Sequence, residues 1–120
     1  MPRLLARAAR GRKGEREALD YLRSKGLKLV TRNYRCRLGE LDLIMSDGET
    51  LVFVEVRKRS RDALIAPALT VTHTKQRRLV KTARHYLMKN EAQATRPCRF
   101  DVVGVTQDNI EWIPNAFDAE

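Results

Sequence analysis

Two acidic residues interrupt strand-forming apolar runs in the segment GELDLIMSDGETLVFVEVRKRS, residues 39–60. Asp42 lies within the first run and Glu55 within the second. A carboxylate on a half-buried strand loses hydration, so its ionised form needs a partner cation, a hydrogen-bond network or a metal ion. Between the runs, Asp47-Gly48 is typical of a two-residue hairpin turn. The segment therefore predicts two antiparallel strands that hold two carboxylates near each other.

The hairpin register determines which side chains share a face of the sheet. A turn at Asp47-Gly48 pairs Ser46 with Glu49 and sets Asp42 opposite Phe53. One face is then mixed and the other wholly apolar. The mixed face carries Glu40, Asp42, Ile44, Leu51, Phe53, Glu55 and Arg57. The apolar face carries Leu41, Leu43, Met45, Val52, Val54 and Val56.

In this register Asp42 and Glu55 are diagonal neighbours with backbones about 7–8 Å apart. Two side chains at that spacing can bind one hard cation through their oxygens. The alternative is a solvated ladder of salt bridges in which Glu40 and Arg57 also take part. Ile44, Leu51 and Phe53 on the same face argue against full exposure.

Apolar residues at helical spacing predict one helix over residues 14–26 and another from near residue 74 to residue 90. Five strands are predicted, in the sequences LKLVTRNYRC, GELDLIM, TLVFVEVR, RFDVVGVT and IEWI. The order α-β-β-β-α-β-β predicts an α/β fold with a mixed β-sheet flanked by helices. Because the second helix connects strands three and four, those strands can lie parallel through a right-handed crossover.

The chain has 24 Lys and Arg against 15 Asp and Glu, a net charge of +9. Because residues 101–120 hold five acids and no Lys or Arg, the first hundred residues carry +14. Such an excess attracts polyanions, so nucleic acid, and DNA first of all, is the predicted partner. The alternative is a solvated basic surface that only aids solubility.

A length of 120 residues suits one domain. We predict a basic flexible arm over residues 1–11 and a single domain over residues 12–120. No apolar run approaches the roughly 20 residues of a membrane span, and the N-terminus lacks the apolar core of a secretory signal. The sequence therefore predicts a cytoplasmic protein with no membrane partner.

Asp42 followed by Glu55-Val56-Arg57 on a neighbouring strand resembles the PD-(D/E)XK nuclease motif, in which Asp, Asp/Glu and Lys gather around a divalent metal. Further segments resemble the YraN family, bacterial proteins similar in fold to Holliday-junction resolvases. These segments are RNYR at 32–35, GELDLI at 39–44, FVEVR at 53–57, VTHTKQ at 71–76, CRFDVV at 98–103 and EWIPNAF at 111–117. The resemblance implies a restriction-endonuclease-like fold.

The resemblance also implies a catalytic set of Glu15, Asp42, Glu55 and Arg57, in which Asp42 and Glu55 bind Mg²⁺ or Mn²⁺. For Glu15 the alternative is a carboxylate that complements the dipole at the start of the first helix. Nucleic-acid contacts are expected from seven residues: Arg10, Arg12, Lys13, Lys58, Arg59, Lys75 and Gln76.

Two positions depart from the nuclease motif. Leu41 stands where the motif name has proline, a common difference among such nucleases. Arg57 stands where the motif has lysine. A guanidinium stays protonated, so it can stabilise the charge of a phosphorane but cannot act as a general base.

Three functions follow from this reading. The first is a metal-dependent nuclease of structured or branched DNA, which the three acidic residues Glu15, Asp42 and Glu55 favour. The second is a non-catalytic DNA-binding module that retains the nuclease fold, which Arg57 favours. The third is an assembly protein that forms a homodimer through an edge of its sheet.

Deletion of residues 1–11 should weaken DNA binding and leave thermal stability nearly unchanged. The deletion removes Arg3, Arg7 and Arg10, and the deleted segment contributes few residues suited to a core. Fluorescence anisotropy with a labelled duplex at low and physiological salt measures the binding, and a thermal melt measures the stability. Loss of folding on truncation would contradict the prediction.

Overall fold

The computed structural model describes residues 14–119 as an α/β protein with one five-stranded mixed sheet. Its elements follow the predicted order α-β-β-β-α-β-β. They are α1 (residues 14–24), β1 (Lys28–Cys36), β2 (Gly39–Asp47), β3 (Thr50–Lys58), α2 (His73–Lys89), β4 (Cys98–Val105) and β5 (Ile110–Phe117). The predicted arm over residues 1–11 lies outside the described residues.

The spatial order of the strands is the same as their order along the chain. Neighbouring strands are antiparallel except β3 and β4, which pair in parallel. Helix α2 connects these two strands, as the crossover argument predicted. The interior strands of the sheet are therefore β2, β3 and β4, and β2 and β3 have few exposed residues.

Each face of the sheet packs on one helix. On the α1 side, Ala18, Leu19 and Leu22 of the helix pack on a cluster from the central strands. That cluster contains Leu43, Met45, Val52, Val54, Val103 and Val105. On the α2 side, Leu79, Val80, Ala83 and Tyr86 pack on Ile44, Leu51, Phe53, Phe100 and Val102. Burial on both faces explains why these strands read as nearly continuous apolar runs.

One face assignment from the sequence is wrong. Leu41 packs in the α2-side cluster together with Ile44, whereas Leu43 packs on the α1 side. Strict alternation along β2 is therefore interrupted around Asp42. On the neighbouring strand, Asn33 has a positive φ of 54° close to this point. A backbone irregularity of this kind redirects side chains and leaves no periodic signal in the sequence.

The predicted hairpin register is displaced by two residues. Asp47 pairs with Thr50, so Gly48 and Glu49 form the turn, and Ile44 rather than Asp42 is opposite Phe53. Gly48 has a φ of 58°, a conformation that glycine adopts without strain. Because side chains alternate with period two, a displacement by two residues does not by itself move a side chain to the other face.

Asp101 of β4 links the last two strands. It is fully buried, and its carboxylate accepts hydrogen bonds from Arg99 Nε at 3.0 Å, Trp112 Nε1 at 2.9 Å and the backbone N–H of Asn115 at 2.9 Å. These contacts give Asp101 a structural role, in which it orients an arginine, a tryptophan and a backbone amide. A buried carboxylate that accepts several hydrogen bonds in this way stabilises the fold.

Asp101→Asn should lower the free energy of unfolding by about 3 kcal/mol, because it leaves the Arg99 charge without its buried partner. The amide NH₂ of the introduced asparagine would also face the N–H donors of Arg99, Trp112 and Asn115. Urea denaturation measures the change. Asp108→Asn is the matched control, since Asp108 pairs with Arg61 at the surface, and it should cost less than about 1 kcal/mol. Equal effects in the two variants would contradict the structural role of Asp101.

Candidate functional site

Asp42 and Glu55 lie on two adjacent interior strands, β2 and β3, and line the same cavity. The β2–β3 ladder runs from Asp47 and Thr50 to Leu43 and Val54. Asp42 and Glu55 are the next residues of β2 and β3 beyond that last pair. The backbone N–H of Val56 donates to Asp42 Oδ2 at 2.8 Å. The Asp42 side chain thus reaches across to β3, where Glu55 lies.

The cavity has a volume of about 330 Å³ and lies between β2, β3 and α2. Its lining combines three acidic residues with two basic ones. The lining residues are Gly39, Glu40, Asp42, Glu55, Lys75, Arg78, Leu79 and Thr82. A Cβ at position 39 would lie 2.9 Å from Thr82 Oγ1, so the helix approaches β2 this closely only because residue 39 is glycine.

The environment of Asp42 strongly disfavours its ionised form. Burial first, and then the nearby charge of Glu55, raise the pKa of Asp42 from 3.8 to about 8, against the opposing hydrogen bond from Val56 N–H. The negative charge of Glu55 thus opposes ionisation of Asp42 when no cation is present.

Glu55 is 4% exposed and is approached by two cations. Lys75 Nζ, from the first turn of α2, is 2.8 Å from Glu55 Oε2. Arg57 Nη1 is 3.6 Å from the same oxygen, and Arg57 Nε donates to Thr70 Oγ1 at 3.1 Å. The shorter contact to Glu55 is therefore made by a lysine from α2 and not by the residue two positions along β3.

Helix α1 brings Glu15 to the same end of the sheet. Carboxylate oxygens of Glu15, Glu40 and Asp42 lie within 4.8 Å of one another. Burial, followed by the charge of Glu40, raises the pKa of Glu15, against the opposing effects of Arg32 and of a hydrogen bond with Asn33. Glu15 Oε2 is buried and has no hydrogen-bond partner within residues 14–119.

Asn33 and Glu40 are the site residues to which sequence reasoning gave no catalytic role. Both belong to quoted family segments, RNYR and GELDLI. Asn33 has a positive φ and opposes the rise in the pKa of Glu15, and neither property has a periodic signature. Glu40 also pairs with Arg35 Nε at 2.7 Å, and Arg35 was not part of the predicted salt-bridge ladder.

The predicted nucleic-acid contacts fall into three groups. Arg10, Arg12 and Lys13 lie outside the described residues. Lys58 and Arg59 line a second cavity of about 550 Å³, together with Arg61 and Gly14, and do not line the acidic cavity. Lys75 lies at the acidic cavity, whereas the side chain of Gln76 donates to Val71 O at 3.0 Å and stabilises the start of α2.

An α/β sheet with buried carboxylates at its centre and a basic helix across them defines this protein structurally. The sequence profile of the uncharacterised protein family UPF0102 matches residues 14–105. The chain therefore belongs to that family, and the resemblance to YraN proteins noted in the sequence is confirmed. Within residues 14–119, no helix is long and apolar enough to cross a membrane.

Several relatives extend the similarity over most of the chain. A UPF0102 protein of Cupriavidus taiwanensis is 51% identical over 117 residues, which cover 96% of this chain and 87% of the relative. One from Coxiella burnetii is 50% identical over 92% of both chains. A third, from Nitrosococcus oceani, is 47% identical over 92% of this chain and 93% of its own.

In metal-free buffer, the protein should lose stability as pH rises from 3.8 towards 8. The pKa of Asp42 is raised on folding, so its protonated form stabilises the fold at low pH, and that contribution disappears as pH passes about 8. Asp42→Asn should flatten this dependence and be more stable than the parent at pH 8. A difference of one in pKa corresponds to about 1.4 kcal/mol in the free energy of unfolding. Urea denaturation across this pH range therefore measures the loss of stability.

The exposed Asp20 of α1 provides the control, because Asp20→Asn should follow the parental pH dependence. If the two carboxylates instead belonged to a salt-bridge ladder with Arg57, Asp42→Asn would destabilise the protein at pH 8. A loss of stability in that variant is therefore the contrary result.

Proposed function

We propose that the protein is a nuclease that depends on Mg²⁺ or Mn²⁺ and acts on structured or branched DNA. The observation that carries the proposal is the convergence of Asp42 and Glu55 on adjacent central strands, inside a cavity, with a pKa of about 8 for Asp42. Carboxylates with strongly raised pKa values in a cleft are typical of functional sites. The strand order and the helix on each face support a restriction-endonuclease-like fold.

The residues at the cavity fit a hard divalent cation. Their donors are carboxylate oxygens, which Mg²⁺ and Mn²⁺ prefer. Asp42 and Glu55 would hold the ion, and Glu15 and Glu40 would complete the acidic set. A bound cation would give the unpartnered Oε2 of Glu15 a partner. It would also offset the repulsion between Asp42 and Glu55. When bound, the ion would activate water and neutralise the scissile phosphate.

The surface of α2 supports DNA as the substrate class. The helix has six Lys and Arg and no acidic residue over its 17 residues. Arg77, Arg78 and Lys81 form no salt bridge within residues 14–119. Such cations bind the phosphate backbone and release counterions, with little preference for base sequence. Arg78 also lines the acidic cavity, so the basic surface reaches the carboxylates.

A DNA-binding module without turnover is the second candidate, and one observation favours it. Arg57 occupies the lysine position of the nuclease motif and donates to Thr70 of the following loop. A guanidinium held in this way contributes charge and a fixed loop conformation, but no proton acceptor. In this candidate the acidic residues are structural and the basic surface supplies the affinity.

In the presence of Mn²⁺ or Mg²⁺, the protein should cleave branched or single-stranded DNA. Asp42→Ala and Glu55→Ala should each lower the cleavage rate by at least about 10²-fold, a typical effect of removing a group that stabilises the transition state. Gel assays on a four-way junction, a flap, single-stranded DNA and a duplex measure cleavage. Calorimetric titration of Mn²⁺ measures the loss of metal binding in the same variants.

Asp20→Ala and Glu49→Ala are matched controls, because both residues are exposed and neither lines the cavity. They should cleave at the parental rate. Metal binding with no cleavage of any substrate would favour the DNA-binding module. Absence of metal binding, with no change in stability in the two cavity variants, would eliminate the site itself.

A further inference from the structure

Lys75 lines the acidic cavity and lies next to Glu55. Its Nζ is 2.8 Å from Glu55 Oε2, on the most deeply buried carboxylate of the cavity. The Lys75 side chain remains 44% exposed, so it lies at the opening between the carboxylate and the solvent. A cation in that place can contact an anionic group that enters the cavity while it remains next to Glu55.

The start of α2 is held in a fixed position, and this fixes the base of the Lys75 side chain. Thr72 is the N-cap, and its Oγ1 accepts a hydrogen bond from the backbone N–H of Lys75 at 3.2 Å. The Gln76 side chain donates a hydrogen bond to the backbone oxygen of Val71. Val71 is 3% exposed and packs in the α2-side core. A capped first turn that is anchored in the core presents its side chains reproducibly.

Arg57 is less suited to the same task. Its Nη1 is farther from Glu55 Oε2, at 3.6 Å, and its Nε donates a hydrogen bond to Thr70 Oγ1. Thr70 Oγ1 in turn donates to Pro67 O at 2.6 Å, so Arg57 is tied to the short helical turn Pro67–Thr70. The guanidinium therefore connects β3 to the loop, and the ammonium from α2 has the closer contact with the acidic centre.

We infer that Lys75 is a catalytic residue of the nuclease, and that this chain supplies from α2 the ammonium that the nuclease motif carries on β3. The inference rests on the nuclease function proposed above. Lys75 Nζ would donate to a non-bridging oxygen of the scissile phosphate and stabilise the negative charge that develops there. Arg57 is then a positioning residue for the loop that precedes α2.

The hydrolysis that Lys75 assists is a simple displacement. The oxygen of a water molecule forms a bond to phosphorus, and the bond from phosphorus to the leaving strand's oxygen breaks with its electron pair. The water loses one proton to solvent, and the leaving oxygen takes one up. Lys75 keeps its own protons throughout, because its role is to stabilise charge on the phosphate and not to transfer a proton.

Lys75→Ala should lower the single-turnover cleavage rate of a saturating branched DNA by about 10²-fold, the usual effect of removing one donor to a transition-state oxyanion. The same variant should bind Mn²⁺ several-fold more tightly in the absence of DNA, because the ammonium no longer competes for Glu55. Lys75→Gln keeps most of the stem length and should give both results. Arg57→Lys in the Lys75→Ala background should recover part of the rate.

Lys89→Ala is the control, because Lys89 is exposed in the last turn of the same helix. It should change neither the rate nor the Mn²⁺ affinity. A parent that cleaves, with Lys75 variants at the parental rate or the parental Mn²⁺ affinity, overturns the role of Lys75 and leaves the proposed function intact. A parent that cleaves no tested DNA overturns the proposed function, and the catalytic role of Lys75 with it.

Discussion

The Asp42 and Glu55 carboxylates at the centre of the sheet impose the constraint on which the rest of the site depends. Two like charges in a poorly hydrated cavity repel each other strongly. In this structure Val56 N–H donates a hydrogen bond to Asp42, and Lys75 forms an ion pair with Glu55. Apolar residues would stabilise these strands with no such compensation. The acidic pair is therefore not explained by a gain in stability, which agrees with the metal-binding role proposed for it.

The topology determines which groups reach this pair. Because β3 and β4 are parallel, the chain must cross one face of the sheet, and α2 carries Lys75 and Arg78 over the carboxylates as it does so. On the opposite face, α1 begins next to β2 and brings Glu15 to the same end. One helix supplies cations and the other an acid, so the site is acidic at its base and basic at its opening.

Much of the fold could be predicted from the sequence because its signals are local. Both helices, the five strands and the parallel pair were predicted from periodicity, turn residues and connection length. The hairpin register was wrong by two residues, yet the faces of Asp42 and Glu55 were right because the side-chain period is two. Leu41 was placed on the wrong face, since the interruption near Asn33 depends on backbone conformation across two strands.

The sequence by itself determined the strands that carry Asp42 and Glu55, the basic character of α2 and membership in the UPF0102 family, since each follows from residue type and order. Only the tertiary structure decided which cation meets Glu55. Lys75 lies 20 positions after Glu55 in the chain, and its contact arises from the crossover path and the anchored start of α2. Contacts of that kind depend on how separate elements pack, which local sequence patterns do not encode.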